Sequence, residues 1–179
     1  DAKQVGTGGI RLAVCAEMLF LELPIEERVR RISEAGFDVE LWDTRKHDIE
    51  RLAATGATFS SMTGYSAGSV IEPDTAGDVV RTAAELIPTA LALGISRMVV
   101  HPAELIDGQA ARPAYRATGR MWLTGLRTLE KLGELGAKHG ITFALENLNT
   151  IVDHPGIPLA RATDTLALVE AVEHPNVKL

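Results

Sequence analysis

The chain has 179 residues, 46% of them hydrophobic, and a formal net charge of −6. That length suits one domain with a substantial core, and the apolar content excludes a disordered chain. An acidic balance without a Lys/Arg cluster offers no footprint for a phosphate backbone, so no nucleic acid partner is expected. No apolar run approaches the roughly 18 residues of a membrane span, so no membrane partner is expected. The start DAKQVGTGG lacks the basic and apolar regions of a signal peptide, and Cys15, standing alone, permits no intramolecular disulfide. A cytoplasmic location is the expectation.

In chain order, GTGG precedes the first strand, expected near Ile10, and reads as a flexible lead-in. A dinucleotide-binding sheet would carry GxGxxG after that strand, where this chain has CAEMLFLELP. Pro24 suits the first turn of a helix with Ile25, Val29 and Ile32 on its apolar face and Glu26, Glu27, Arg30 and Arg31 opposite. Four segments then pass from a helix through Gly into a strand: AGFDVELW at Gly36, TGATFSSM at Gly56, LGISRMVVH at Gly94 and HGITFALEN at Gly140. Gly past a helix end takes positive φ at no steric cost, and the β-branched and aromatic residues that follow suit strands. A fifth joint, EHPNVKL, uses Pro175 and Asn176 instead. Pro88 predicts a kink or break in the helix after Asp78. In the longest helix Trp122, Leu126, Leu129, Gly133 and Gly136 share a stripe whose glycines allow close approach to neighbours.

Strands alternating with helices predict parallel strands joined by right-handed crossovers, and the missing fingerprint favours a closed barrel. Strands expected near Ile10, Phe37, Ala57, Ser96, Ile141 and Val177 make about five and a half strand-helix units. A complete (β/α)8 TIM barrel takes about 250 residues. The expectation is therefore a single α/β domain over residues 1–179, part of such a barrel, continuing past Leu179 through a short apolar stretch to an Asp.

Barrel active sites lie at the C-terminal strand ends. Alternation that puts Glu146 inside also puts Ala144 and Thr142 inside and turns Phe143 and Leu145 towards the helices. The same parity places Ala13, Cys15 and Glu17, then Glu40 and Trp42, then Val99 and His101 on the inner face. Glu17, Glu40, His101 and Glu146 would then project at the strand ends. Glu17 reads rather as a solvated loop carboxylate, Glu40 equally as the partner of an Arg, His101 as a structural hydrogen-bonding residue rather than a ligand, and Cys15 as an inert core thiol. His47, His139, His154 and His174 form no ligand spacing and read as surface residues.

AEMLFLELPIEERVRRISEAGFDVELW, Ala16 to Trp42, resembles the first strand-helix-strand of the hydroxypyruvate isomerase family, within the xylose isomerase-like barrels that also include ketose 3-epimerases. LENLNTIVDHPGIPL followed by TLALVEAVEHPNVKL is similar to that family's fifth strand, active-site loop, next helix and sixth strand. The resemblance implies that Glu146 binds a divalent metal and takes part in proton transfer, with the remaining ligands and a second catalytic Glu beyond Leu179. Departures fall at pocket positions: Cys15 and Glu17 replace an Asn-x-Ser, Ile151 replaces an Arg, and Val99 replaces a fourth-strand His, with His101 two residues later.

The resemblance thus implies a metal-dependent isomerase of a sugar or hydroxy-keto acid, with Glu146 catalytic and metal-binding; the strand-end positions make Glu40, Trp42 and His101, with Asn149 in the loop after Glu146, the expected substrate contacts. Oxygen ligands suit Mg²⁺ or Mn²⁺, and a His in the shell would admit Co²⁺. Loss of the loop Arg weakens the case for hydroxypyruvate itself. A ketose 3-epimerase and a non-catalytic sugar-binding barrel remain alternatives. A related metal-dependent endonuclease would need a basic groove and clustered His, and the chain carries neither pattern. Without a Gly-rich cradle or paired cations at strand ends, a phosphate-free substrate is expected. Homo-oligomer formation is left open.

Overall fold

A computed structural model describes residues 9–179, so Gly6–Gly8 of the GTGG lead-in lie outside the described residues. The elements run β1 (Ala13–Cys15), α1 (Ile25–Glu34), β2 (Asp38–Leu41), a 3-10 turn (Thr44–Lys46), α2 (Ile49–Ala53), β3 (Phe59–Thr63), α3 (Ala76–Ala92), β4 (Arg97–Val100), β5 (Leu105–Ile106), β6 (Gln109–Ala110), α4 (Gly119–His139), β7 (Thr142–Leu145), α5 (Ala162–Val172) and β8 (Val177–Lys178). They form two compact units, one running to Thr63 and including Pro88–Arg97, the other comprising Gly64–Ile87 and Met98–Leu179. Among the described residues no helix is long and apolar enough to cross a membrane.

In the first unit β1, β2 and β3 pair in parallel, with Cys15 opposite Glu40 and Glu40 opposite Ser61. Pairing begins where the Asp38 N–H donates to Leu12 O at 2.9 Å, so the first strand starts later than its apolar run at Ile10 suggests. Val39 and Leu41 are fully buried, while Asp38 and Glu40 on the other face are half-buried. Helix α1 buries Val29 and Ile32 as its spacing predicts, but Glu26 is buried too. That corrects its expected solvent-facing position. Arg51 of α2 reaches the Glu26 carboxylate at 3.0 Å, a partner 25 residues away that helical periodicity does not encode.

In the second unit β4, β7 and β8 are neighbours, β7 and β8 pairing in parallel with Phe143 opposite Val177. Phe143 and Leu145 are fully buried, and Thr142 and Ala144 face the other way, half-buried. Helix α4 approaches its neighbours through its glycine stripe: a Cβ on Gly133 would lie 2.6 Å from the His174 ring. His174, expected at the surface, is therefore packed against a helix, and its Nδ1 accepts from the Asn176 N–H at 3.1 Å. The hairpin β5–β6 turns through Asp107 and Gly108, both with positive φ, as an Asp-Gly two-residue turn requires.

The predicted joints are helix ends of the expected kind. Gly36, Gly56, Gly94 and Gly140 all have positive φ, between 68° and 88°. At Gly36, Gly94 and Gly140 the following N–H donates to a carbonyl five residues back, which satisfies one of the helix's orphan acceptors. At the fifth joint Glu173 takes the left-handed conformation, φ 49°, although it is not Gly. Pro88 does not break its helix: α3 continues past it for another turn to Ala92. Proline disfavours a helix interior but does not forbid it when packing holds the segment, and Ile87 and Ala90 on either side are buried.

Candidate active site

The first unit gathers polar groups at the ends of β1 and β2. The chain turns after β1 as the Met18 N–H donates to Cys15 O, which brings Glu17 beneath the end of β2. Glu17 Oε1 accepts from the backbone N–H groups of Trp42 at 3.0 Å and Asp43 at 3.2 Å, and lies 3.3 Å from His47 Nε2. Its side chain is only 20% exposed and that of His47 14%, so neither is the solvated group that local sequence implied. The partners lie 25 to 30 residues apart, beyond any local pattern. Glu17 thus terminates β2 by accepting the donors the strand leaves unpaired. It also fixes the backbone at Trp42, whose side chain is exposed.

Cys15 lies behind Glu17, its Sγ 3.5 Å from Oε2. Burial, reinforced by the Glu17 and Glu40 carboxylates, pushes the thiol from 9.0 up to about 12. The thiolate is the reactive form, so the structure supports the inert reading. In the folded protein at pH 8, Cys15 should resist alkylation by iodoacetamide and become modified once denaturant is added. Rapid labelling of the folded chain would contradict this burial. A raised thiol stabilises the fold relative to the unfolded chain only while both states hold the proton; that contribution is lost as pH rises from about 9 towards about 12.

The second unit carries the other set. The Glu146 N–H donates to Val100 O at 3.0 Å, extending the β4–β7 pairing by one bond so that His101 and Glu146 emerge side by side. His101 Nε2 lies 3.2 Å from Glu146 Oε2; the His side chain is 13% exposed and the carboxylate 52%. On the other side of the imidazole, Nδ1 meets the Tyr65 hydroxyl at 3.0 Å. Tyr65 is buried, and desolvation, then the Glu104 and Glu146 charges, raise its phenol above the ordinary range. Sequence reasoning missed Tyr65. The usable signal was Gly64 beside it: the Gly64 N–H donates to Val99 O at 2.7 Å, and a Cβ there would meet Met98 Cβ at 2.7 Å. A residue without a side chain lets the backbone come this close and carries Tyr65 in beside His101.

The other expected residues take different surroundings. Glu40 is half-buried on β2. Asn149 uses its amide inside its own loop: Oδ1 accepts from the Ile151 N–H at 2.9 Å and Nδ2 donates to Asp153 at 3.1 Å. His154, expected at the surface, is partly buried with Nδ1 2.6 Å from Gly108 O. Among the described residues no group of three His, Cys, Asp or Glu is arranged to hold a metal ion. Glu146, its side chain half exposed, offers a carboxylate for one ligand position of a divalent cation; no second and third ligand stand beside it among the described residues.

Parallel strands alternating with helices, with a carboxylate and an imidazole at adjacent C-terminal strand ends, define a scaffold of the α/β-barrel type. The chain belongs to the xylose isomerase-like TIM barrel family, whose profile matches residues 17–179. Among solved structures it is similar to an AP endonuclease, family 2, from Brucella melitensis, at 24% identity and TM-score 0.74, covering 93% of this chain and 66% of that one. It is also similar to a D-psicose 3-epimerase crystallised in the presence of D-fructose (14% identity, TM-score 0.72, 94% and 62% coverage) and to an L-ribulose 3-epimerase (22%, 0.66, 93% and 58%). The chain thus spans under two thirds of the length of these structures. No curated protein matches it.

Proposed function

We propose that this chain is part of a metal-dependent isomerase of a small sugar or hydroxy-keto acid, hydroxypyruvate isomerase-like, which moves a proton between adjacent carbons through an enediolate. The observation that carries this reading is Glu146, a half-exposed carboxylate at the end of β7, with a ring nitrogen of His101 3.2 Å from one oxygen. A divalent metal, Mg²⁺ or Mn²⁺, would be held in part by Glu146 and, when bound, supplies Lewis-acid stabilisation of the developing negative charge. The chain's own chemistry is proton transfer: the Glu146 carboxylate takes the proton from one carbon, and His101 keeps that carboxylate oriented while it does so. In the first unit, taken by itself, half-buried Glu40 and exposed Trp42 carry the chemistry of sugar contacts, a carboxylate for hydroxyls and an indole for a C–H face. Asn149 contributes by shaping its loop.

Ketose 3-epimerisation is the second reading, supported by the epimerases among the similar structures. Product analysis separates the two: incubation with hydroxypyruvate and with free ketoses, with and without Mg²⁺ or Mn²⁺, should yield the aldehyde–ketone isomer from an isomerase and the C3 epimer from an epimerase. Conversion of neither, with no metal bound in titration, would leave a sugar-binding barrel. The net charge of −6 argues against a DNA substrate despite the similar endonuclease fold. The substrate should carry no phosphate. A sugar phosphate binding at least tenfold more tightly than the free sugar would overturn that expectation.

A further inference from the structure

The Tyr65–His101–Glu146 chain leaves one proton to be placed, and its position decides what His101 does. Tyr65 has one hydroxyl proton and two acceptors near it, His101 Nδ1 at 3.0 Å and Ala103 O at 3.4 Å. Hydroxyl donors work best at about 2.7–2.8 Å and weaken with length, so the nearer nitrogen is the better acceptor. The rings meet edge to face, 5.7 Å between centroids at 72°, which holds the imidazole edge against the hydroxyl. If the proton went to Ala103 instead, Nδ1 would be the protonated nitrogen of a neutral ring. Nε2 would then face the Glu146 oxygen at 3.2 Å as one acceptor against another, which is repulsive without a cation between them.

We infer that Tyr65 is a positioning residue that donates to His101 Nδ1 and so holds the neutral ring in its Nε2–H form, making His101 a fixed donor to Glu146 rather than a metal ligand. This inference rests on the isomerase reading for its catalytic consequence but not for its geometry. Three features agree with it. Tyr65 is buried, and its raised phenol keeps its proton. His101 is 13% exposed, so water competes poorly for either ring nitrogen. Glu146 is pinned at its own N–H to Val100, so the carboxylate stays within reach of Nε2. The consequence is a division of labour within one carboxylate. Oε2 accepts from His101, and Oε1 is left for the cation or the substrate proton. A ring with a protonated Nε2 has no lone pair there with which to ligate a metal.

The test is the nitrogen spectrum of the histidine side chains in the metal-free protein, recorded where the ring is neutral, with His101 assigned from its loss in a His101→Gln variant. The expected result is a protonated Nε2 and a bare Nδ1, unchanged when Mg²⁺ is added. A protonated Nδ1, or loss of the Nε2 proton on adding Mg²⁺, would overturn the inference. In Tyr65→Phe, checked for folding by circular dichroism, the ring should lose its preference by about fivefold to tenfold in tautomer ratio, the worth of one hydrogen bond of about 1 kcal/mol or slightly more. Substrate turnover should show a lower kcat with KM nearly unchanged. An unaltered tautomer ratio in folded Tyr65→Phe would mean that Tyr65 only packs. Because the spectra are read on resting protein, an expected tautomer in a protein that converts neither sugars nor keto acids would remove the isomerase reading and leave the hydrogen-bond assignment standing.

Discussion

Replacing Glu146 by Gln should lower the rate of isomerisation by roughly 10² to 10⁴, the usual cost of losing a general base, with a further loss from a weakened cation. Gln keeps the shape and an amide oxygen able to accept from His101, so the geometry at the ends of β4 and β7 should survive. It lacks the basic, charged oxygen that the proposed proton transfer requires. Stability should change little: at 52% exposure the carboxylate is screened by water, so neutralising it relieves less repulsion than removal of a buried charge would. The measurement is steady-state kinetics at saturating Mg²⁺ or Mn²⁺ on full-length protein, beside thermal melts. A variant that turns over at near wild-type rate while binding metal would make Glu146 a residue that merely closes a strand.

Phe143→Ala should be the most damaging single truncation to the fold. Phe143 is fully buried, lies opposite Val177 across β7–β8, and donates its N–H to Asn176 O at 2.8 Å. Removing the ring leaves a cavity that the surrounding strands and helices fill only in part, a change that costs roughly 3 to 5 kcal/mol. Urea denaturation should show the midpoint falling with little change in slope. Thr142→Ala, on the opposite and half-buried face, should cost far less. Equal losses at the two positions would mean that the strand's two faces are not distinguished by burial, and the parity that aims Glu146 away from the helices would fail with it.

That parity was legible because it is local. Alternation along ITFALE puts Phe143 and Leu145 on one face and Glu146 on the other whatever the strand pairs with, and burial follows the pattern. The glycine joints were legible for the same reason: Gly36, Gly56, Gly94 and Gly140 each end a helix, and the conformation they adopt depends on a few neighbouring bonds. The Asp107–Gly108 hairpin carries an equally local signal, since an Asp-Gly pair suits positive φ at both positions. Helical spacing similarly placed Val29 and Ile32 inside.

What required the tertiary structure was every choice of partner. Whether Glu17 is solvated or buried under Trp42 and Asp43, whether Glu26 faces water or Arg51, and whether His47 sits at the surface or against Glu17 depend on groups 25 or more residues away. Tyr65 joins His101 across 36 residues because Gly64 lets the backbone lie against Val99, a contact no periodicity contains. The sequence by itself determined which face of each strand and helix is apolar and where the chain turns, because those properties arise from the conformational preferences of neighbouring residues. The tertiary structure alone decided which polar groups meet, because a hydrogen bond falls off over a few tenths of an ångström and its partner is supplied by strand register rather than by anything within a few residues of it.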